Sequence, residues 1–254
     1  MRSGSEAKST TRRQWLGFAP AKLERMSASS TATSPNSTAP TPLCLADDAT
    51  FWAWHPWTDF ARWPYKSATT IILPVSGLAD WGLDAPLDAE ETVLLSVLRA
   101  AAALPSLQAD KLLTLPPQRF VVGPHASCAF AVDAPTAHAA LEEWCASIAA
   151  SGFRRVVFYN SSPWNEELVD AAARDIRIGS GLQMFCVNLS ALGLDFAPWR
   201  GGERAKLRAL LAELSVTDTG PLLAEAAAHL ARLLAEITAR PSLPRDGALL
   251  TMTA

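Results

Sequence analysis

The chain has 254 residues, a formal net charge of −3, 49% hydrophobic residues and 19% charged ones, enough apolar material for one sizeable globular core. Lys and Arg are scattered along the sequence and form no basic stripe, which argues against nucleic acid as a partner. No apolar run approaches the length of a transmembrane helix, so no membrane partner is expected.

Residues 1–44 are rich in Ser, Thr, Ala and Pro without a hydrophobic period, the composition of a disordered segment. Within it, Thr11-Arg12-Arg13-Gln14-Trp15-Leu16 is similar to a twin-arginine export motif. Lys22, Glu24 and Arg25 occupy the place where such a signal needs an apolar stretch. The expectation is therefore a cytoplasmic protein, with Met26 as an alternative start. Cys44, Cys128, Cys145 and Cys186 follow no CxxC spacing and read as reduced thiols rather than a disulfide frame or zinc knuckle.

Order is expected from about residue 45. The segment FWAWHPWTDFARWPY (51–65) is dense in aromatics, which suits packing across a domain face or in a subunit interface. TTIILPV (69–75) is a β-branched run and predicts a strand. A loop over 76–90 leads to a helical period over 91–104. KLLTLPP (111–117) predicts a second strand ending in proline. A helix over 135–150 begins with a well-placed Pro135 and ends at Gly152. RRVVFYN (154–160) predicts the third strand, 165–178 a helix, and QMFCVNL (183–189) the fourth strand. Helical segments over 204–214 and 221–239 close the domain, with 241–254 as a flexible tail. No internal repeat is visible. Short apolar strands alternating with helices predict an α/β fold with a mainly parallel sheet covered on both faces, in one domain over 45–240.

In such a sheet, ligands bind at the carboxyl ends of the strands, which singles out the loops 76–90, 118–133, 160–165 and 190–203. Two of them carry a resemblance. LPVSGLADWGLDAPLDAEE (73–91) is similar to the hallmark segment of the creatininase (creatinine amidohydrolase) family, with Pro74, Val75, Gly82, Pro86 and Leu87 in register. GFRRVVFYNSSPWN (152–165) resembles the family's second hallmark, with Gly152, Phe153, Arg154, Arg155, Asn160 and Asn165 in place. The resemblance covers roughly residues 50–195. It implies a three-layer αβα sandwich, an oligomer (often a hexamer), and a dinuclear zinc or manganese site that activates water against an amide carbon.

The family's metal ligands are mostly replaced here. Its Glu falls on Ala79 and its first His on Trp81. A later His falls on Asp84, its Asp on Glu90 and the His of the second hallmark on Ser162. Pro163 and Trp164 follow, and the family's late acidic motif has no counterpart between 190 and 220. Only Glu90 is retained in kind, and one carboxylate does not hold two cations. The expectation is a non-catalytic homologue without metal, in which Trp81 and Trp164 fill the old site. It would act as a binding, structural or regulatory subunit in a homo-oligomer or beside another protein.

Two other readings remain open. An active amidohydrolase could use a rebuilt site of Glu90, Asp80 or Asp84 and His125, with Zn or Mn. A small-molecule sensor could stack a flat ligand on Trp81 and Trp164. The pocket candidates are Asp80, Trp81, Asp84, His125, Asn160, Ser161, Ser162, Trp164 and Asn165. Acids of the 80–90 loop also have a plain reading, as solvated residues and helix caps. His125 and Cys128 could form a nucleophilic pair, but their spacing shows neither contact nor a lowered thiol pKa. Ser161-Ser162 lacks the glycines of a nucleophile elbow. His55, His138 and His229 read as packing or surface residues.

Overall fold

The computed structural model describes residues 51–82, 85–107, 111–123, 128–201, 204–216 and 220–241. Asp84 and His125 lie outside them, as do the segments 1–50 and 242–254. A 3-10 turn at Trp52–Trp54 and helix α1 (Trp57–Arg62) precede strand β1 (Thr70–Ser76), β2 (Leu78–Ala79) and α2 (Ala89–Ala102). Four short strands follow the edge strand β3 (Leu112–Thr114): β4 (Gln118–Arg119), β5 (Val121–Val122), β6 (Cys128–Ala129) and β7 (Ala131–Val132). The chain then runs through α3 (Ala134–Ala150), β8 (Arg155–Asn160), α4 (Glu166–Ser180), β9 (Gln183–Asn188), α5 (Arg204–Val216) and α6 (Pro221–Ala239).

The main sheet is parallel, in the order β3-β1-β8-β9, with β4 also paired to β1. All seven residues of β1 are buried, as expected of a central strand covered on both faces. Alternation along the strands sorts the core into two layers. Ile72, Val157, Tyr159 and Val187 pack with α2, α5 and α6. Ile71, Leu73, Val75, Val156 and Phe158 pack with α3, α4 and Phe60. This is the expected α/β architecture of helices on both faces of a parallel sheet.

The edge strand differs from the expectation of a strand ending at its prolines. It pairs with β1 at Thr70–Ile72, breaks at Pro116-Pro117, and pairs again at Val75 and Ser76. Ile72 O accepts from Leu115 N at 2.9 Å and Ser76 O from Phe120 N at 3.0 Å, so alternate β1 residues turn their polar backbone toward this edge. Pro74 lies between them. Its nitrogen carries no hydrogen, and it faces the interruption where the opposing prolines also lack donors, so no ladder hydrogen bond is lost.

Several ends follow local chemistry. Asp133 caps α3, accepting from Thr136 N at 2.8 Å. Gly152, at φ +95°, turns the chain from α3 toward β8. The aromatic segment packs against the α3 and α4 layer, with Trp52 stacked on Phe60 at 4.3 Å between centroids and tilted on Phe153 at 5.3 Å. Burial raises the Cys145 and Cys186 thiols to about 12, so neither is a ready nucleophile. No helix among the described residues is long and apolar enough to cross a membrane.

Candidate functional site

The loops after β1 and β8 meet at the carboxyl end of the sheet. The β8 ladder continues one residue past the strand, where Ser161 N donates to Val75 O at 3.0 Å. Asn160 then folds the exit. Its Nδ2 donates to Ser162 O at 2.8 Å and to Asn188 Oδ1 at 2.9 Å, while its Oδ1 accepts from Ser162 N at 3.1 Å. A 3-10 turn over Pro163–Asn165 leads into α4. Asn165 pins the neighbouring loop: Nδ2 donates to Phe120 O at 2.7 Å, and Oδ1 accepts from Val122 N at 2.9 Å. Both asparagines are buried, and their amides are occupied, Asn160 by the Ser162 backbone and the Asn188 side chain and Asn165 by the backbone of the 120–122 loop.

Glu90 lies in the first turn of α2 and is 1% exposed. Its Oε2 accepts from Gly77 N at 2.8 Å and its Oε1 from Trp81 Nε1 at 3.1 Å. Burial raises its pKa to about 7, against the lowering effect of the Gly77 N–H, the nearby Ser162 hydroxyl and the Trp81 indole. Gly77 allows this approach: a Cβ there would stand 2.7 Å from Glu90 Oε2 and 2.8 Å from Ser162 Oγ. Ser162 Oγ is close enough to the carboxylate to influence it, yet among the described residues neither Ser162 Oγ nor Tyr159 Oη, both buried, makes a hydrogen bond.

Aromatic rings occupy the rest of the corner. Trp81 is 3% exposed and packs on Trp164 at 5.3 Å and on Phe196 at 6.3 Å between centroids. Trp164 in turn meets Trp199 at 5.9 Å, so the rings run from the core toward the surface. Arg200 holds the outer end, with Nη1 2.7 Å from Glu166 Oε2 and Nη2 2.9 Å from Asp195 Oδ1. The two carboxylates raise the Arg200 pKa, and Arg200 lowers that of Asp195.

The structure brings Trp81, Glu90, Ser162 and Trp164 into one corner, with Asn160, Ser161 and Asn165 at its wall. Ala79 is buried in β2, opposite Cys128 of β6. Asp80 stands apart, its Oδ1 accepting from Gly82 N at 2.8 Å in an exposed turn. Ser161 Oγ is 3.5 Å from Val75 O. His138 sits on α3 between Asp175 and Glu142, and His55 lies near Asp59.

The plain reading of solvated, helix-capping acids fails for Glu90, and equally for Glu91 next to it. Glu90 and Glu91 are each 1% exposed, because both turn inward onto donors. Glu91 Oε1 accepts from Arg119 Nη2 at 2.7 Å, and its Oε2 pairs with Arg119 Nε. Arg119 and Gly77 are not among the site candidates that the sequence offers. A glycine after a buried strand hints at close backbone approach, whereas nothing local marks Arg119 as the partner of a residue 28 positions away.

The described residues of this corner do not by themselves fit a pair of divalent cations. Among the described residues no three His, Cys, Asp or Glu come together in an arrangement that could hold a metal ion. Among the described residues Glu90 is the carboxylate beside Trp81 and Ser162, and both its oxygens already accept hydrogen bonds. Indole, alanine and a lone hydroxyl add no further set of strong ligands.

The family model for creatininase, described as creatinine amidohydrolase, matches residues 55–218. No curated protein sequence matches the chain at a significant level. Among solved structures, the fold is similar to that of a Bacteroides fragilis protein provisionally named a creatinine amidohydrolase. That match has a TM-score of 0.55 and 12% identity, and covers 78% of this chain and 100% of the other. A crystal structure of creatinine amidohydrolase (creatininase) aligns with 16% identity and a TM-score of 0.45, over 59% of this chain and 64% of that one. This chain thus spans less than two thirds of that protein's length. Over most of its described core, the chain belongs to the creatininase family.

Proposed function

We propose that this chain is a family member that has lost the dinuclear metal site and works through binding, as a structural or regulatory subunit. The observation that carries this reading is the hydrogen bond from Trp81 Nε1 to Glu90 Oε1 at 3.1 Å. An indole stands where the family has an imidazole, and it donates to the one ligand-type carboxylate retained. The indole N–H competes with a cation for that oxygen, and the ring fills the space beside it. The reading extends to a cytoplasmic subunit assembled with itself or with another protein.

The test is metal content, by elemental mass spectrometry, on protein purified without chelator or affinity tag. Less than roughly a tenth of an equivalent of Zn, Mn, Fe or Ni per chain is expected, whereas about one or two equivalents sink the reading.

An active amidohydrolase with a rebuilt site is the second reading, favoured by one feature. The Glu90 pKa of about 7 suits a general acid or base at neutral pH. Amide hydrolysis that chelator abolishes, and that Glu90→Gln removes, would establish it. A sensor holding a flat ligand between Trp81 and Trp164 requires those rings to part from each other, because they are already in contact.

A further inference from the structure

A second concave site lies on the opposite face of the sheet from Trp81 and Glu90. Leu73 and Ile148, at its floor, belong to the α3 and α4 layer of the core, whereas Trp81 belongs to the α2, α5 and α6 layer. The cavity measures about 550 Å³, within the roughly 300–1,000 Å³ range of small-molecule pockets. It exists because the edge strand breaks at Pro116-Pro117: Leu115, Pro116 and Gln118 line one side, where an unbroken strand would run flat. Three indoles line it as well, from Trp52, Trp57 and Trp144.

We propose that this cavity binds a flat, uncharged aromatic molecule carrying one hydrogen-bond donor. Each part of that description answers to the lining. Indole faces offer planar contact area with little entropy to lose. No Lys, Arg, Asp or Glu lines the cavity among the described residues, so a charged ligand would be desolvated without a partner. Gln118 Nε2 is occupied by Pro116 O at 2.9 Å, while Gln118 Oε1 has no hydrogen bond among the described residues and is left to accept one. Trp57 is 75% exposed although it is large and apolar; a ligand ring against it would cover that surface. The site is independent of the metal reading, because it shares no residue with the corner around Glu90.

The experiment is calorimetric titration of the full chain with 2-naphthol, which is flat, neutral at pH 7 and carries one O–H. Naphthalene-2-sulfonate, the same ring with a charge, is the comparison. The expected result is saturable binding of one 2-naphthol per chain, with the sulfonate at least about ten-fold weaker. Trp144→Ala should weaken 2-naphthol about ten-fold or more. So should Ser147→Trp, which fills the cavity from an exposed position of α3 and serves if Trp144→Ala does not fold. Val216→Ala, at an exposed position of α5 in the other layer, should leave binding unchanged.

Absence of saturable binding overturns the proposal, as does binding that both cavity variants leave intact. Equal affinity for the sulfonate overturns its uncharged character. Sedimentation velocity on the same samples tests a different occupant. Self-association that Trp57→Ala abolishes and that 2-naphthol does not reverse would mean a second copy of the chain covers this face, which also overturns the proposal.

Discussion

Trp81 Nε1 donates to Glu90 Oε1 over 3.1 Å, and both residues are almost fully buried. The bond joins the loop after β2 to the first turn of α2 and closes the corner. Trp81→Phe keeps a ring and removes the donor. A hydrogen bond to a charged group contributes about 1.5–3 kcal/mol, one to a neutral group about 1. Denaturant unfolding should therefore show a loss of about 2 kcal/mol at pH 8, where Glu90 is ionised, and a smaller loss at pH 5. Trp81→Ala also leaves a cavity against Trp164 and Phe196 and should cost about 3–5 kcal/mol at both pH values. A Phe variant as stable as the parent at pH 8 would show that the bond contributes nothing.

Glu90 should also make stability depend on pH near neutrality. Its folded pKa of about 7 lies above the ordinary value of 4.5 because burial disfavours the charge. Below pH 4.5 both states hold the proton and no penalty applies. Between 4.5 and 7 the unfolded chain has lost the proton while the folded chain keeps it, so stability falls as pH rises. The full difference is of order 3 kcal/mol, reached above pH 7. Glu90→Gln removes this contribution. Its stability relative to the parent should therefore improve between pH 5 and pH 8, measured as the difference of two urea titrations. A constant difference across that range contradicts a raised pKa.

The fold was legible where the pattern is long. TIILPV reads as a buried strand and forms one, and the α6 period starts at Pro221 and stops at Ala239 as the apolar spacing requires. The pairs β2 with β6 and β5 with β7 join two residues each, too few to carry a period, so the sequence leaves 118–133 as loop. The break in the edge strand was half legible: Pro116-Pro117 signals a stop, but the resumption at Gln118 depends on Ser76 and Val75 offering pairing partners. In the corner, the convergence of Trp81 and Trp164 followed from the order of the loops. The burial of Glu90 did not, because acids at a helix start are ordinarily solvated. What buries it is the backbone donor at Gly77 and the indole at Trp81, and both are tertiary.

Arg119 and Glu91 form a pair with one partner in each environment. Glu91 is 1% exposed and the Arg119 side chain 42%. Removing the arginine leaves a buried carboxylate beside Ser76 Oγ at 3.5 Å, with no other cation paired to it among the described residues. Arg119→Ala should destabilise by about 2 kcal/mol, below the roughly 3–5 kcal/mol of a fully buried pair because solvent screens the guanidinium. Arg119→Ala with Glu91→Gln should recover part of that loss in a thermal melt. Equal losses in the single and double variants would mean that the arginine acts through packing alone.

Arg155 makes the most demanding case, because it is a fully buried cation without a carboxylate partner among its hydrogen bonds. Nη1 donates to Ala68 O at 3.1 Å and Thr238 O at 3.2 Å, Nη2 to Arg240 O, and Nε to Gln183 Oε1 at 3.3 Å. The carbonyls at the end of α6 carry the negative end of the helix dipole, which favours a cation there, although burial still lowers the Arg155 pKa. One side chain thus ties the entry to β1, the start of β9 and the end of α6 to β8. Lysine keeps the charge but has one nitrogen and cannot reach that fork of acceptors. Arg155→Lys should cost about 3 kcal/mol or more, since carbonyls lose donors in a buried place. Hydrogen exchange should then rise most in the last turn of α6 and at the start of β1, with α2 little changed. Faster exchange spread evenly over the domain would mean that Arg155 supports global stability and does not clamp these ends.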